Sequence, residues 1–568
     1  MNGTPAAKES GHVAGTSDTQ RTGAKTTSED SSHEIATTTD DLAAEAIHED
    51  EAAAAVVKDD SDDLKAQPAA AVDRPTHDEG LYSVIPRKQR IAIIAIAALA
   101  GMLSPLTGAI YFPALTTIAD DLRVKTSLVN LSITTYQIFQ GLAPTFVASL
   151  SDNHGRRPAY VLALLIYLVA NLALALQNNY AALMVLRCLQ SAGSSATIAL
   201  GNAIVADTVV RAERGRWVGY TGLGISLGPA LGPVFGGVLN QYLGWHSIFW
   251  FLFIISAVLL IGIVILLPET GRAVVGNGSV PPKWWNLSCV QWLRLKQGKV
   301  LNGGLQVDED RSTISRPKRR PNPISALRIL LEPEGCITVG FGSILFAGYF
   351  MVMTTLSEEL TKRFGYSSTI VGLCFLPIGV GGLLSRFTAG LLFDWNFRRH
   401  ARLLGHSIDL ARQQQLEMFP IERIRLEICI PMVYISCGTI VAYAWTLESK
   451  ASLAGILVSL FFMGLFFSGV QQGFNTLIVD THADMPATAT AANNLFRCLM
   501  SAGATAVAPF LIEKIGVGYM GVFISGVWFL LTPLLWLVLF RGKKWRDDER
   551  KRQEEKATKG QAEKGPGV

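Results

Sequence analysis

The chain has 568 residues, of which 49% are hydrophobic and 17% charged, with a formal net charge of +4 and a mean hydropathy of +0.31. A soluble globular domain carries about 25% charged residues, and the deficit falls in the middle, because residues 1–88 and 542–568 are polar. That distribution excludes an ordinary soluble domain, gives no sign of nucleic acid as a partner, and predicts an all-α polytopic membrane protein.

Residues 1–88 are rich in Ala, Thr and Ser, with acidic clusters at Glu49–Glu51 and Asp59–Asp63. Such a segment buries too little apolar surface to offset its ordering entropy, and is expected to be a disordered cytosolic tail. The opening residues lack a charged start followed by an apolar run, so the first span is expected to serve as an internal signal. Twelve apolar stretches of about 20 residues follow. They lie near 90–112, 126–149, 158–177, 180–207, 215–241, 246–268, 334–357, 367–394, 425–446, 451–478, 485–513 and 517–540. The expected organisation is a six-helix bundle at 89–268, a cytosolic central loop at 269–333, a second six-helix bundle at 334–541 and a cytosolic tail at 542–568.

Basic residues gather at Arg87–Arg90, Arg156–Arg157, Arg211–Arg216, Arg316–Arg320, Arg398–Arg402 and Arg541–Arg546. Counting spans places all of them on one face, whereas the opposite loops, such as Gln177–Tyr180 and Gln241–Trp245, carry few. By the positive-inside rule both termini and the central loop are cytosolic. The acceptor patterns at Asn277 and Asn286 would then stay unglycosylated. The seven cysteines fall mostly inside apolar spans, and read as small packing residues without a disulfide framework. No metal-ligating cluster stands out.

The two halves echo each other. ASLSDNHGRR at 148–157 and GLLFDWNFRR at 390–399 each follow the second span of a half. Asp152, Arg156 and Arg157 match Asp394, Arg398 and Arg399 at constant offset. Asn202 and Asp207 match Asn475 and Asp480 after the fourth span. Duplicated six-span units are a mark of transporters whose halves rock about a central site. An Asp and an Arg pair beside the turn at Gly155 can brace two helix ends through charge-assisted hydrogen bonds. A plain positive-inside loop with a helix cap reads equally well. In the fifth span, Gly224, Gly228, Gly232 and Gly236 recur every fourth residue, with Pro229 and Pro233 between them and Gly237 following. The glycines share one helix face and let a neighbour approach closely. The prolines kink the helix.

These motifs carry a resemblance. The 148–157 loop resembles the major facilitator motif between spans 2 and 3, although Ala148 stands where that motif usually has Gly. The fifth span resembles the glycine-proline motif of the antiporters in that superfamily, and Leu186–Gly193 (LRCLQSAG) is similar to its span 4 motif. SPLTGAIYFPAL and ATATAANNLFRCLMSAG resemble the fungal twelve-span drug:proton antiporters. FGSILFAGYFMVMTTLSEEL and FDWNFRRHARLLG resemble their quinidine-resistance branch, to which fungal citrate exporters are related. Phe346 and Thr354–Thr355 stand where the citrate exporters carry Tyr and Ser, which argues against citrate itself. The likeness covers residues 85–540. It implies a major facilitator fold, no cofactor beyond a proton gradient, and gating roles for the residues just named.

Arg187, Arg386 and Arg497 lie inside spans, with no Asp or Glu at comparable depth. A mid-span Arg costs at least ~2.5 kcal/mol on insertion scales and so faces the bundle interior with a task. Gln190 shares a helix face with Arg187, and Asn493 and Asn494 lie one turn before Arg497. With Tyr136 and Gln137 these form the candidate substrate- and proton-binding set, a role that the resemblance favours for Arg187 over a purely structural one. Arg386 lies two turns from Asp394 and could snorkel toward the cytosol. Interior cations without acids favour an anionic cargo. The expectation is a monomeric, plasma-membrane, proton-coupled exporter of organic acids or acidic metabolites. Export of neutral or cationic toxic compounds is the alternative. A membrane enzyme or an ATP-driven pump is disfavoured, because the sequence holds no HExxH and no phosphate-binding GxxxxGK[ST].

Overall fold

A computed structural model describes residues 83–209, 211–278, 280, 282–297, 330–404, 419–482 and 486–562. All lie within one compact unit, Glu79–Val568. The tail up to residue 82 and the basic run at 316–320 lie outside the described residues.

The first half contains α1 (Arg87–Ile110), a 3-10 turn (Phe112–Ala114), α2 (Leu115–Asp121), α3 (Thr126–His154), α4 (Arg156–Leu176), α5 (Tyr180–Thr208), α6 (Arg211–Leu243) and α7 (His246–Leu266). Two short helices follow, α8 (Arg272–Val275) and α9 (Cys289–Lys296). The second half contains α10 (Pro333–Phe364), α11 (Ser368–Cys374), α12 (Leu376–Leu403), α13 (Ile421–Glu448), α14 (Leu453–Thr481) and α15 (Pro486–Ala562). Local chemistry sets the boundaries. The Asn179 carboxamide accepts from Ala181 N at 2.8 Å to start α5. Gly365 ends α10 with φ 67°.

Ten helices among the described residues are long and apolar enough to cross a membrane. α15 counts once there, yet Gly516, at φ 79° and ψ 168°, breaks it into two passages. α3 is not among the ten; it spans 29 residues and carries Asn130, Ser132 and Gln137, all buried. With these two the described residues make twelve passages, as expected from the apolar stretches. The protein is an all-α polytopic membrane protein of two helical bundles. Large apolar side chains such as Phe146, Leu391 and Leu530 stay exposed along the spans. A bilayer makes that arrangement favourable, since the lipid-facing surface must be apolar.

Two segments differ from the expected loop and tail. The central segment is partly helical, through α8 and α9, and α15 continues beyond 541 to Ala562. Continuation is cheap, because RGKKWRDDERKRQEEKATKGQA is built of strong helix formers with few breakers.

Candidate functional site

α5 buries Arg187 to 1% exposure in the first bundle. Its guanidinium carbon lies 4.2 Å from the ring centre of Tyr111 and 4.4 Å from that of Tyr136. Two aromatic faces thus flank a desolvated cation, where each cation–π contact is at its strongest. Nη1 donates to Gln190 Oε1, whose amide donates at 2.7 Å to Asn171 Oδ1. Asn171 in turn donates to Tyr167 O, and the Tyr167 hydroxyl meets Thr107 Oγ1 at 2.6 Å. Arg187 Nε and Nη2 are buried without a hydrogen-bond partner.

In the second bundle the Arg497 guanidinium lies 4.5 Å over Phe346 and donates to Asn494 Oδ1 at 2.8 Å, while its Nε is buried and unpartnered. Polar contacts join the two cations across the bundle interface. The Asn494 amide donates to Gln140 O at 3.2 Å, Gln140 Nε2 donates to Ser104 Oγ at 3.2 Å, and the Tyr136 hydroxyl donates to Ser104 O at 3.2 Å. Gln137 donates to Ser501 Oγ at 3.3 Å beside this chain. Asn493 is buried but does not join it. Phe346, Tyr349, Phe350 and Phe467 form an aromatic wall next to Arg497, with Tyr349 and Phe467 stacked at 4.1 Å.

The glycine stripe of α6 works within the first bundle. A Cβ on Gly224 would lie 2.6 Å from Ala98 O and one on Gly228 2.7 Å from Leu106 N, both on α1. Gly232 and Gly236 abut Ile110 in the same way. Another face of α6 meets the second bundle: Gly237 packs on Ser368 O, Gly372 of α11 packs on Pro233 O, and Gly379 of α12 on Ala230. Asn240 Nδ2 bridges Thr117 Oγ1 and Ser368 Oγ, each at 2.9 Å, and Phe112 stacks on Phe375 at 5.8 Å. The halves are therefore closed against each other at the end that carries Asn240 and Ser368.

Two six-passage bundles, with a buried Arg187 in one and a half-buried Arg497 in the other joined by polar contacts across the interface, match a known architecture. The sequence profile of the Major Facilitator Superfamily matches residues 97–505. The chain belongs to the Major Facilitator Superfamily. It is 43% identical over 494 residues to MFS-type transporter clz19 of Cochliobolus lunatus, covering 85% of this chain and 92% of that one. Against Citrate exporter 1 of Aspergillus niger it is 34% identical over 497 residues, covering 86% and 92%. Among solved structures, the human organic anion transporter MFSD10 (TETRAN) aligns with a TM-score of 0.51 and 19% identity over 79% of this chain and 100% of that one. The xylose transporter XylE from E. coli gives a TM-score of 0.55 at 15% identity over 79% and 97%. These two likenesses concern the fold. The protein is thus a fungal-type MFS transporter of small molecules, a secondary transporter rather than an enzyme.

At the other end of this MFS transporter, the loop between α3 and α4 is held by ion pairs. Arg156 donates from Nε to Asp207 Oδ2 at 2.8 Å and from Nη1 to Asp152 Oδ1 at 2.6 Å. Arg157 donates to Val264 O at 3.1 Å and Trp285 O at 3.0 Å. Gly155, at φ 110° and ψ 164°, makes a turn that a side chain would strain. Glu269, buried to 5% exposure, caps α4: Oε1 accepts from Arg156 N at 2.7 Å and Oε2 from Arg157 N at 3.2 Å, with Thr270 N and Gly271 N also donating. Burial raises its carboxyl above the ordinary range, against the pull of these four N–H groups.

The matching loop of the second half is arranged differently. Asp394, Arg398 and Arg399 are exposed, and Arg399 reaches the ring of Trp395 at 5.8 Å. Asp480, the counterpart of Asp207, takes its cation from Arg425 at 3.0 Å. Arg386 is exposed, its Nη1 3.4 Å from where a Gly222 Cβ would stand. Glu269, Arg425 and Asn171 belong to these networks without having been singled out by motif, and Tyr111 only as part of SPLTGAIYFPAL. Asn171 did leave a signal, as the one amide in the otherwise apolar run YVLALLIYLVANLALAL.

Proposed function

We propose that the transporter exports small organic acids or acidic secondary metabolites in exchange for protons, by alternating access about the Arg187–Arg497 interface. One observation carries the reading. Arg187 is fully buried, yet two of its three guanidinium nitrogens have no partner. A buried charge-bearing donor left unpaired is costly unless a ligand completes it, and a guanidinium suits a carboxylate bidentately. The likeness to Citrate exporter 1 of Aspergillus niger supports an anionic cargo; Phe346 under the Arg497 guanidinium argues for a body less polar than citrate. In this reading Tyr136, Gln137, Gln190, Asn493, Asn494 and Arg497 bind cargo and protons. Asp152, Gly155, Arg156, Arg157 and the α6 glycines and prolines carry the gating motion, with Asp394, Arg398 and Arg399 as their second-half partners.

The aromatic wall of Phe346, Tyr349, Phe350 and Phe467 favours a second reading, export of neutral or cationic toxic compounds as in the fungal drug:proton antiporter group and its quinidine-resistance branch. A monomer in the plasma membrane with both termini cytosolic suits either reading, given the Lys and Arg distribution. Everted vesicles energised by a proton gradient and offered a panel of acids and cations discriminate between them. The first reading predicts gradient-dependent uptake of acids that Arg187→Ala and Arg497→Ala abolish. Strong cation transport untouched by Arg497→Ala overturns it.

A further inference from the structure

α9 is inside-out. Its buried residue is a polar one, Gln291, whereas Trp292, Leu293 and Leu295 are exposed. The preceding turn repeats the pattern, with Asn286 buried and Trp284 and Trp285 exposed at 79% and 49%. A helix in water presents its polar side outward. This one buries its amide and exposes Trp292, Leu293 and Leu295 beside Arg294 and Lys296, so its outer surface is part apolar and part cationic.

Several bonds fix that orientation. Ser288 and Gln291 form a reciprocal capping box at the start of α9. Asn286 Nδ2 donates to His154 O at 3.2 Å, and Arg157 Nη1 donates to Trp285 O at 3.0 Å. The segment is therefore pinned to the ends of α3 and α4, at the ends of the spans, and α9 also packs against α7. Lys283, Arg294 and Lys296 are exposed among the tryptophans. Lys283 Nζ lies 4.9 Å from the Trp285 ring and Lys296 Nζ 5.2 Å from that of Trp292. None of the three forms an ion pair among the described residues. Tryptophan rings interleaved with cations are what the headgroup region of a bilayer accepts: the rings sit at the interface and the cations meet lipid phosphates.

We propose that residues 283–296 form an interfacial site for acidic glycerophospholipids, which seats the central segment on the membrane surface and, through the Arg157–Trp285 bond, ties the α3–α4 brace to the lipid. Tryptophan provides the insertion and the three basic residues provide headgroup selectivity, each worth about fivefold in partitioning to an acidic surface at low salt.

Hydrogen exchange of the full chain in nanodiscs tests this without knowledge of the cargo, so its failure leaves the transport reading standing. Amides of 283–296 should be more protected in phosphatidylcholine mixed with phosphatidylserine than in phosphatidylcholine alone, and added salt should erase the difference. The variant K283E/R294E/K296E should lose the lipid dependence while keeping wild-type exchange across α3–α7, which certifies its fold. W284S/W292S should lose protection in both lipids. Equal protection of the wild type in the two lipids overturns the proposal, as does a triple charge variant that retains the serine-lipid effect; either outcome would point to a protein contact on this surface instead.

Discussion

At the residue scale, the two tyrosine faces around Arg187 demand a flat, delocalised cation. Lysine keeps the charge but has neither the planar fork nor the stacking surface. Arg187→Lys should therefore behave like Arg187→Ala in transport, with flux reduced about tenfold or more, since a desolvated cation–π contact alone is worth ~2 kcal/mol. Flux in proteoliposomes at equal reconstituted protein checks this, and near wild-type flux in the lysine variant would mean that charge alone suffices. Glu269 makes a separate prediction about pH. Its carboxyl is raised in the folded state by burial, so folding favours its protonated form. The stability linked to that proton is full below the ordinary carboxylate range and is lost as pH rises through the raised value. Glu269→Gln cannot ionise and loses an acceptor for the α4 N-terminus, at a cost of about 1–3 kcal/mol. The gap in Tm between wild type and variant should thus narrow as pH rises through that range. A gap that widens instead would show that the four N–H donors, and not burial, govern the carboxyl.

At the element scale, the glycine stripe separates two kinds of glycine. A Cβ at Gly236 would run into the Ile110 carbonyl oxygen, backbone that cannot step aside, whereas at Gly262 of α7 nothing lies within 4 Å. Gly236→Ala should lower stability by about 1–3 kcal/mol, the usual range for overpacking, and Gly262→Ala should be neutral or slightly stabilising. Thermal unfolding in one detergent compares them directly. The stripe was legible in the sequence because its spacing is a helix face. The spans were legible for the same kind of reason, since a bilayer imposes both length and apolarity; only α3 blurs this, having buried polar side chains such as Gln137, which meets Ser501 of the other bundle. α9 was not legible, because its apolar residues face outward and its short run sits in a polar segment. The repeat sets the second-half residues in a different local geometry. In the first half the chain turns at Gly155 and α4 begins at once with Arg156. In the second half α12 runs on to Leu403, which leaves Arg398 and Arg399 on an exposed helix. Asp480 still needs a cation, and Arg425 near the start of α13 supplies it. The interior arginines could be read from residue type alone, but Tyr111, Ser104 and Gln140 join them through contacts between spans distant in sequence, which no local pattern encodes.

For the whole molecule, the decisive feature is where the two bundles touch. α6 meets α11 and α12, and α3 meets α15, through glycine-backbone contacts and the bridge from Asn240 to Ser368 at 2.9 Å. Side chains this close at one end of a two-bundle transporter mark that end as shut, and alternating access requires them to part. If the proposed cycle holds, joining these residues should trap one state. Asn240→Cys with Ser368→Cys, treated with a short thiol-specific cross-linker, should stop flux, and cleavage of the link should restore it. The free cysteines Cys289 and Cys336 are exposed, so the control is the wild-type chain carried through the same treatment. Each single variant should transport near the wild-type rate, because Ser368→Cys loses one hydrogen bond and Asn240→Cys two, each worth only about 1 kcal/mol, far less than a covalent tie. Undiminished flux in the linked protein would mean that these ends need not separate during transport, and the rocking of one bundle on the other would have to be replaced by a motion confined within a bundle.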